Sequence, residues 1–312
     1  MSGAEQTLTT CAVCDAPADG PKRQVGGRLF CPEHYPQPAA GSRLWLSLVT
    51  LLAVMIGLGM LLQLVGPALD PLQGGWPPGV VAVALALLPV VIWSVVFRQF
   101  DAIEREPAAW EIAVVLLGCL VSAAVVEPLR RGVFELNHWW DGSAAWALPV
   151  YILAEGALIA LAIYLVVRFS VFLSAEFDER ADGIVYGALA GLSMGIPYNI
   201  RYVLDTPGLK FGYGTARIFV ASLVLASVGA VIGFALGQVK FERQPAPFLA
   251  FFMLAAAALL GIFEWLALVL GQRGISFPAW QLFLLATLFA LLVFGAVSLL
   301  ARQALVETME AP

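Results

Sequence analysis

Long apolar runs alternate with short polar segments along most of the chain, beginning at Leu44. Each run is close to the roughly 20 residues that a helix needs to cross about 30 Å of hydrocarbon. Because lipid offers no hydrogen-bond partner to an open backbone, a run that spans it must be helical. The pattern predicts an all-α polytopic membrane protein with about eight transmembrane helices, over residues 44–69, 78–97, 110–126, 144–168, 183–200, 216–238, 246–271 and 277–302.

The composition agrees with a membrane protein. Of the 312 residues, 61% are hydrophobic and only 12% are charged, whereas a soluble domain has about 25% charged residues. Lipid is therefore a predicted partner of most of the chain. The 17 Lys and Arg residues do not gather into a basic patch, which argues against nucleic-acid binding. The polar residues divide the chain into an N-terminal module (1–40), a transmembrane bundle (41–303) and a short C-terminal tail (304–312).

The positions of the basic residues predict the orientation in the membrane. With eight spans both termini lie on one side, and 11 of the 17 Lys and Arg residues fall on that side. Arg130 and Arg131 belong to the other six, in a predicted loop after the third span. Because cytoplasmic loops are enriched in Lys and Arg, both termini of this multi-pass cell-membrane protein are predicted to be cytoplasmic.

The N-terminal module carries two matched pairs of metal-binding side chains, Cys11 with Cys14 and Cys31 with His34. Two-residue spacings let a tight turn present both ligands of a pair to one tetrahedral zinc ion. A segment this small cannot build a core alone, so zinc would hold it folded, and a reducing cytoplasm favours thiolates over disulfides. The pattern predicts a structural zinc site, since protein fills all four positions; an unstructured tail or a redox pair is the alternative.

Two polar stretches carry a family resemblance. The first is Phe97-Arg-Gln-Phe-Asp-Ala-Ile-Glu-Arg-Glu-Pro107, and the second is Glu176-Phe-Asp-Glu-Arg-Ala-Asp-Gly-Ile-Val-Tyr-Gly-Ala-Leu-Ala-Gly191. Together they resemble the Asp…Glu-Pro loop and the Phe-Asp-x-x-x-Asp-Gly-Ile-Val-Tyr-Gly-Ala-x-x-Gly signature of PrsW-type intramembrane metalloproteases, over about residues 88–237. The resemblance implies a helical membrane protein in which acidic and histidine ligands hold a metal that activates water for peptide cleavage.

The metal-ligand motifs that the resemblance implies are mostly substituted. The family's Glu-Glu-x-x-Lys falls on residues 154–158, where only Glu155 is retained. Its Glu-Asn pair falls on Tyr198-Asn199, and its histidine falls on Leu225. By resemblance, Glu155 and Asn199 are therefore the candidate catalytic residues, and a catalytic metal inside the membrane is not expected.

The residues themselves lead to the same expectation. A catalytic zinc takes three protein ligands and keeps one open position. The chain has two histidines; His34 belongs to the N-terminal module, and His138 lies in a predicted loop. Glu155 and Glu264 are the acids predicted deep in the spans, and two carboxylates without an imidazole are a poor hydrolytic zinc site.

Three hypotheses for the function remain open. The leading one is a catalytically degenerate, PrsW-like scaffold, sensor or binding protein with a membrane or cytoplasmic protein partner. The second is an active intramembrane metalloprotease with a rearranged site that includes Glu155. The third is a proton-coupled transporter that uses Glu155 and Glu264, since buried carboxylates in a membrane are costly and often functional. Both could instead be protonated packing residues that bond a neighbouring helix.

One glycine stripe has a predicted structural role. Gly183, Gly187, Gly191 and Gly195 recur every four residues and so share one helix face. Small residues let a second helix approach closely in a membrane. The stripe therefore predicts a tight helix–helix contact.

Overall fold

A computed structural model describes most of the membrane part of the chain and parts of the N-terminal module. The described residues are 11, 16–17, 24–25, 28–29, 31–32, 42–73, 75–97, 108–133, 144–174, 176–177, 180–206, 209–242, 244–272 and 279–310. Strands β1 (Gln24–Val25) and β2 (Arg28–Leu29) form an antiparallel hairpin. The α-helices are α1 Ser42–Gln73, α2 Pro78–Phe97, α3 Ala108–Val121, α4 Ala144–Val150, α5 Ala157–Ser170, α6 Arg180–Leu204, α7 Phe211–Phe241, α8 Ala246–Gln272 and α9 Ala279–Glu310.

Each of the eight predicted stretches falls on a helix, and the polytopic helical fold is confirmed. Five helical segments of the described residues are long and apolar enough to cross a membrane: Pro78–Val95, Ala108–Val133, Ala147–Ser170, Gly214–Phe241 and Ala246–Leu266. The count of eight spans stays a prediction. Many large apolar side chains on these helices point out of the bundle, among them Val91 on α2 and Leu116 on α3. These faces contact lipid.

Three π-helical segments interrupt the described helices. Ser122–Val126 and Leu129–Val133 continue α3, and Tyr151–Gly156 joins α4 to α5. Pro128 lies between the first two and Pro149 just precedes the third. Since proline removes a backbone donor and presses its ring against the preceding turn, it explains why the helix widens at these places. Wide turns of this kind are rare in proteins, and those that occur are often found at functional sites.

The third predicted span was too short. The helical run continues past residue 126 to Val133, so Arg130 and Arg131 lie on a helix rather than in a loop. Both guanidinium groups pair with Glu127, one turn earlier, at 3.3 and 3.2 Å. Pairing at this spacing lowers the cost of carrying charge at the end of a membrane helix.

Helices α6 and α7 form the centre of the bundle and meet along a glycine seam. Most residues of the Gly214–Phe241 segment of α7 are buried. Gly183 and Gly187 of α6 lie against Gly233 and Gly229 of α7, and a Cβ on Gly187 would collide with the Gly229 carbonyl. The predicted tight contact of the glycine stripe is confirmed.

Candidate functional site

The N-terminal hairpin brings two cysteines into a protected position. Cys11 and Cys31 are 1% and 6% exposed, and the Cys11 amide donates a hydrogen bond to the Ala16 carbonyl at 2.7 Å. Cys14 and His34 lie outside the described residues. The hairpin of β1 and β2 lies between the two pairs in the sequence, whereas the four-ligand zinc site stays a prediction.

Glu155 lies in the third π-helical segment and is buried, with 6% of its surface exposed. Its Oε1 is 3.0 Å from Nε of Arg130, and Nη1 of the same guanidinium is 3.3 Å from Glu127 Oε1. The Nε–H bond is not directed at the Glu155 oxygen, so that contact is an ion pair rather than a hydrogen bond. One guanidinium therefore joins two buried carboxylates from different helical segments.

A tyrosine of α6 completes the surroundings of that guanidinium. The Arg130 guanidinium carbon lies 4.6 Å from the centre of the Tyr198 ring, at cation–π distance. Arg217 of α7 donates a hydrogen bond to the Tyr198 hydroxyl at 2.9 Å and stacks on Tyr202 at 3.8 Å. Tyr198 is thus held between two cations, one at its ring and one at its hydroxyl.

Asn199 directly follows Tyr198 on α6 and is fully buried. Its Nδ2 donates to Ser222 Oγ of α7 at 3.1 Å, and its Oδ1 has no partner among the described residues. A Cβ on Gly195 would lie 3.3 Å from Leu225 Cδ1 and 3.5 Å from Asn199 Nδ2. Leu225, to which the resemblance assigns the family's histidine position, therefore borders the same point as Asn199.

Glu264 of α8 belongs to the same charged region. It is half-buried and interacts electrostatically with Arg130 and Arg217. The two acids predicted deep in the spans, Glu155 and Glu264, thus face a common cation, Arg130. We call Glu127, Arg130, Glu155, Tyr198, Arg217 and Glu264 the charged cluster.

An exposed ion pair borders the charged cluster. Arg131 Nη1 lies 2.9 Å from Asp205 Oδ2, and the two side chains are 42% and 57% exposed. Because Arg131 also pairs with Glu127, it connects the exposed rim to the buried carboxylates.

The donor set of the charged cluster does not fit a hydrolytic metal ion. A zinc site of that kind needs three ligands with free lone pairs and one open position. The Glu155 carboxylate is paired with a guanidinium, the Tyr198 hydroxyl accepts from Arg217, and Leu225 offers no lone pair. In the part of the chain that the structure describes, no group of three or more His, Cys, Asp and Glu side chains is placed to hold a metal.

Sequence reasoning missed the cations of this site. Arg130 was predicted to lie in a loop after the third span, and Glu127 was not singled out. The three- and four-residue spacings of Arg130 and Arg131 from Glu127 were the available signal, since acid and base at these spacings pair on a helix. The meeting of Arg130 with Tyr198 joins segments that are distant in sequence, and no local pattern announces it.

The other end of α6 and α7 carries the signature stretch. The Lys240 ammonium of α7 donates to the carbonyls of Phe172, Ser174 and Phe177 at 2.7, 3.4 and 2.6 Å. The Phe177 ring stacks on Tyr186 and Phe241, with centroids 6.3 and 6.1 Å apart. The lysine and these rings hold the segment between α5 and α6 against α7. We call this arrangement the lysine clamp.

Comparisons with known proteins agree with the family resemblance. The sequence model described as PrsW family intramembrane metalloprotease matches residues 106–305, which extends the resemblance through α8 and α9. A Bacillus subtilis (strain 168) protein called Protease PrsW is 28% identical over 170 residues, 53% of this chain and 71% of the relative. A Geobacillus kaustophilus (strain HTA426) protein of the same name is 29% identical over 193 residues, 62% and 82%. No solved structure matches.

Proposed function

The chain belongs to the PrsW family of intramembrane metalloproteases, and we propose that it has lost hydrolytic activity and serves as a membrane scaffold or binding protein. One observation carries the proposal. The carboxylate of Glu155, the glutamate retained from the family motif, lies 3.0 Å from the Arg130 guanidinium. A carboxylate neutralised in this way has little affinity left for a dication, and the fixed positive charge repels one.

The neighbouring positions support the same proposal. Where the family has a second acid there is Tyr198, which binds Arg217 through its hydroxyl. Where the family has histidine there is Leu225, which is 7% exposed and packs in the apolar core. Replacing acid and imidazole by phenol and isobutyl removes the lone pairs that hold and tune a metal.

The N-terminal module is the second part of the proposal. A structural zinc ion bound by Cys11, Cys14, Cys31 and His34 would keep the hairpin folded. The module would lie in the cytoplasm, on the same side as both chain termini. The burial of Cys11 and Cys31 supports this assignment, since burial protects a metal-bound thiolate from exchange. A module of this kind would bind a cytoplasmic or membrane protein partner.

Proteolysis tests the loss of activity directly. Purified full-length protein is reconstituted with single-span membrane peptides that the Bacillus subtilis relative, assayed in parallel, cleaves. We expect no new termini from this chain, because no water-activating metal is held. Cleavage that disappears both in the Glu155→Gln variant and on chelation would contradict the proposal.

The second candidate function is an active metalloprotease with a rearranged site. The buried Asn199 Oδ1 favours it, because this oxygen has no hydrogen-bond partner among the described residues and its lone pairs could bind a metal ion. Zinc per purified chain separates the two candidates. We expect about one zinc ion in the full chain and none in the Cys11→Ser, Cys31→Ser double variant, since four ligands define one site. A zinc ion retained in the double variant would favour the active enzyme.

A further inference from the structure

The Arg130 guanidinium occupies a position with the features of a cation site. Carboxylate oxygens from two helical segments, Glu127 Oε1 and Glu155 Oε1, lie 3.3 and 3.0 Å from its nitrogens. The Tyr198 ring covers it at 4.6 Å. The carboxylates are 2% and 7% exposed, and the arginine side chain is 20% exposed. A single positive group thus has two buried acids and an aromatic face as its surroundings.

These surroundings suit guanidinium better than a metal ion. A planar guanidinium presents five N–H donors in a fixed fork and stays charged under all ordinary conditions. An aromatic face attracts such a cation, whereas a divalent metal requires lone pairs. Tyr198 stands where the family has a carboxylate, so the substitution replaces a metal ligand by a surface for a guanidinium.

The two acids need a cation to remain charged in the bundle. A carboxylate in a membrane helix is costly unless it is paired or hydrated. Glu127 also pairs with Arg131, but among the described residues Arg130 is the cation within 4.0 Å of Glu155. Removing the Arg130 charge therefore leaves Glu155 uncompensated, beside Glu127 and within electrostatic range of Glu264.

We propose that the Arg130 guanidinium is a permanent internal substitute for the family's metal ion, and that its removal turns the cluster into a divalent-cation site with Glu127 and Glu155 as ligands. The inference rests on the proposed loss of hydrolysis, because a hydrolytic metal ion would need the position that the Arg130 guanidinium occupies. Its chemistry is that of hard oxygen ligands, which select Mg²⁺, Ca²⁺ or Mn²⁺.

The test uses Mn²⁺ as the probe, with full-length protein in detergent. Oxygen ligands suit Mn²⁺, whereas the thiolates of the N-terminal module suit zinc, so paramagnetic resonance of bound Mn²⁺ reports the charged cluster. Mn²⁺ should bind the Arg130→Met variant at least about tenfold more tightly than the wild type and raise its Tm. The Arg131→Met variant, which removes the neighbouring and more exposed cation, should behave as the wild type.

Two further variants make the result decisive. The Arg130→Met, Glu155→Gln double variant should lose the gained affinity, since one ligand is gone. If the Arg130→Met protein is recovered unfolded, an Arg130→Ala variant is purified with Mn²⁺ or with methylguanidinium present. Monodisperse protein recovered with either cation, but not with methylammonium, supports the inference; recovery with neither overturns it.

Other outcomes also decide the inference. Equal Mn²⁺ affinity of wild type and Arg130→Met overturns it, as does a gain of affinity that Glu155→Gln leaves intact. These readouts measure binding and stability rather than cleavage. Proteolytic activity in the wild type would therefore refute the proposed function. The Mn²⁺ affinities of the wild type and the variants would still decide the inference about Arg130.

Discussion

The two ends of the α6–α7 pair differ in the kinds of contact that hold them together. At one end, the lysine clamp holds the signature stretch, with Asp182 and Tyr186 buried at 2% and 0% exposure. At the other end, the charged cluster includes Glu155 and Tyr198, two positions to which the family resemblance assigns metal ligands. Asp182 and Tyr198 are 16 residues apart on α6, roughly 24 Å along a helix. The ends can therefore diverge independently.

The difference teaches that the recognisable motif records packing more than chemistry. The lysine clamp binds backbone carbonyls, which every residue carries, and aromatic rings that the signature supplies. Changing Phe177 or Tyr186 would disturb the packing of this chain, because both rings are buried and stack on each other. The charged cluster is held together by contacts between side chains. Substituting these side chains would therefore alter the chemistry while the helices stay in place.

The glycine seam between the two ends gives the largest expected effect. In the Gly187→Leu variant the new side chain would collide with the Gly229 carbonyl, forcing α6 and α7 apart. We expect a cost of about 3 kcal/mol or more and loss of monodisperse protein. Gly57→Leu is the matched control, because nothing lies within 4 Å of a Cβ on Gly57. Equal yields of the two variants in size-exclusion chromatography would contradict the seam.

The lysine clamp is tested by Lys240→Met, which keeps a long apolar side chain and removes the ammonium. Three carbonyls lose a charged donor, and each such bond contributes about 1.5–3 kcal/mol when considered alone. We expect a clear fall in Tm and faster proteolytic cleavage between α5 and α6. Lys210→Met, at an exposed lysine, should leave both unchanged; a similar effect of the two substitutions would show that the clamp adds nothing.

The smallest effect is expected at the exposed rim of the charged cluster. Asp205→Asn removes the partner of Arg131, and since both side chains are largely exposed the change should be below about 1 kcal/mol. Glu127→Gln, at a buried partner of both Arg130 and Arg131, should cost more, about 1.5–3 kcal/mol, because it weakens two charge-assisted contacts. Thermal unfolding in detergent compares the two, and a larger effect at Asp205 would reverse the assignment of rim and interior.

Much of the fold could be predicted from the sequence, because burial in lipid imposes a simple rule on composition. Every predicted apolar stretch became a helix, and the stripe from Gly183 to Gly195 announced the α6–α7 seam. The error at residue 126 came from reading charge as the end of a span. Arg130 continues the helix because Glu127 neutralises it, and a hydropathy pattern counts charges without their partners.

The sequence by itself determined that this is a helical membrane protein and which family its signature stretch resembles, and the resemblance predicts that Tyr198 and Leu225 stand at ligand positions. Only the tertiary structure decided which side chains surround Glu155 and Tyr198. No local sequence pattern reveals the contacts that Arg130 makes with Glu155 and Tyr198. These residues meet because the π-helical segments Leu129–Val133 and Tyr151–Gly156 pack together with α6. Hydropathy depends on single residues, whereas charge compensation depends on distances between them.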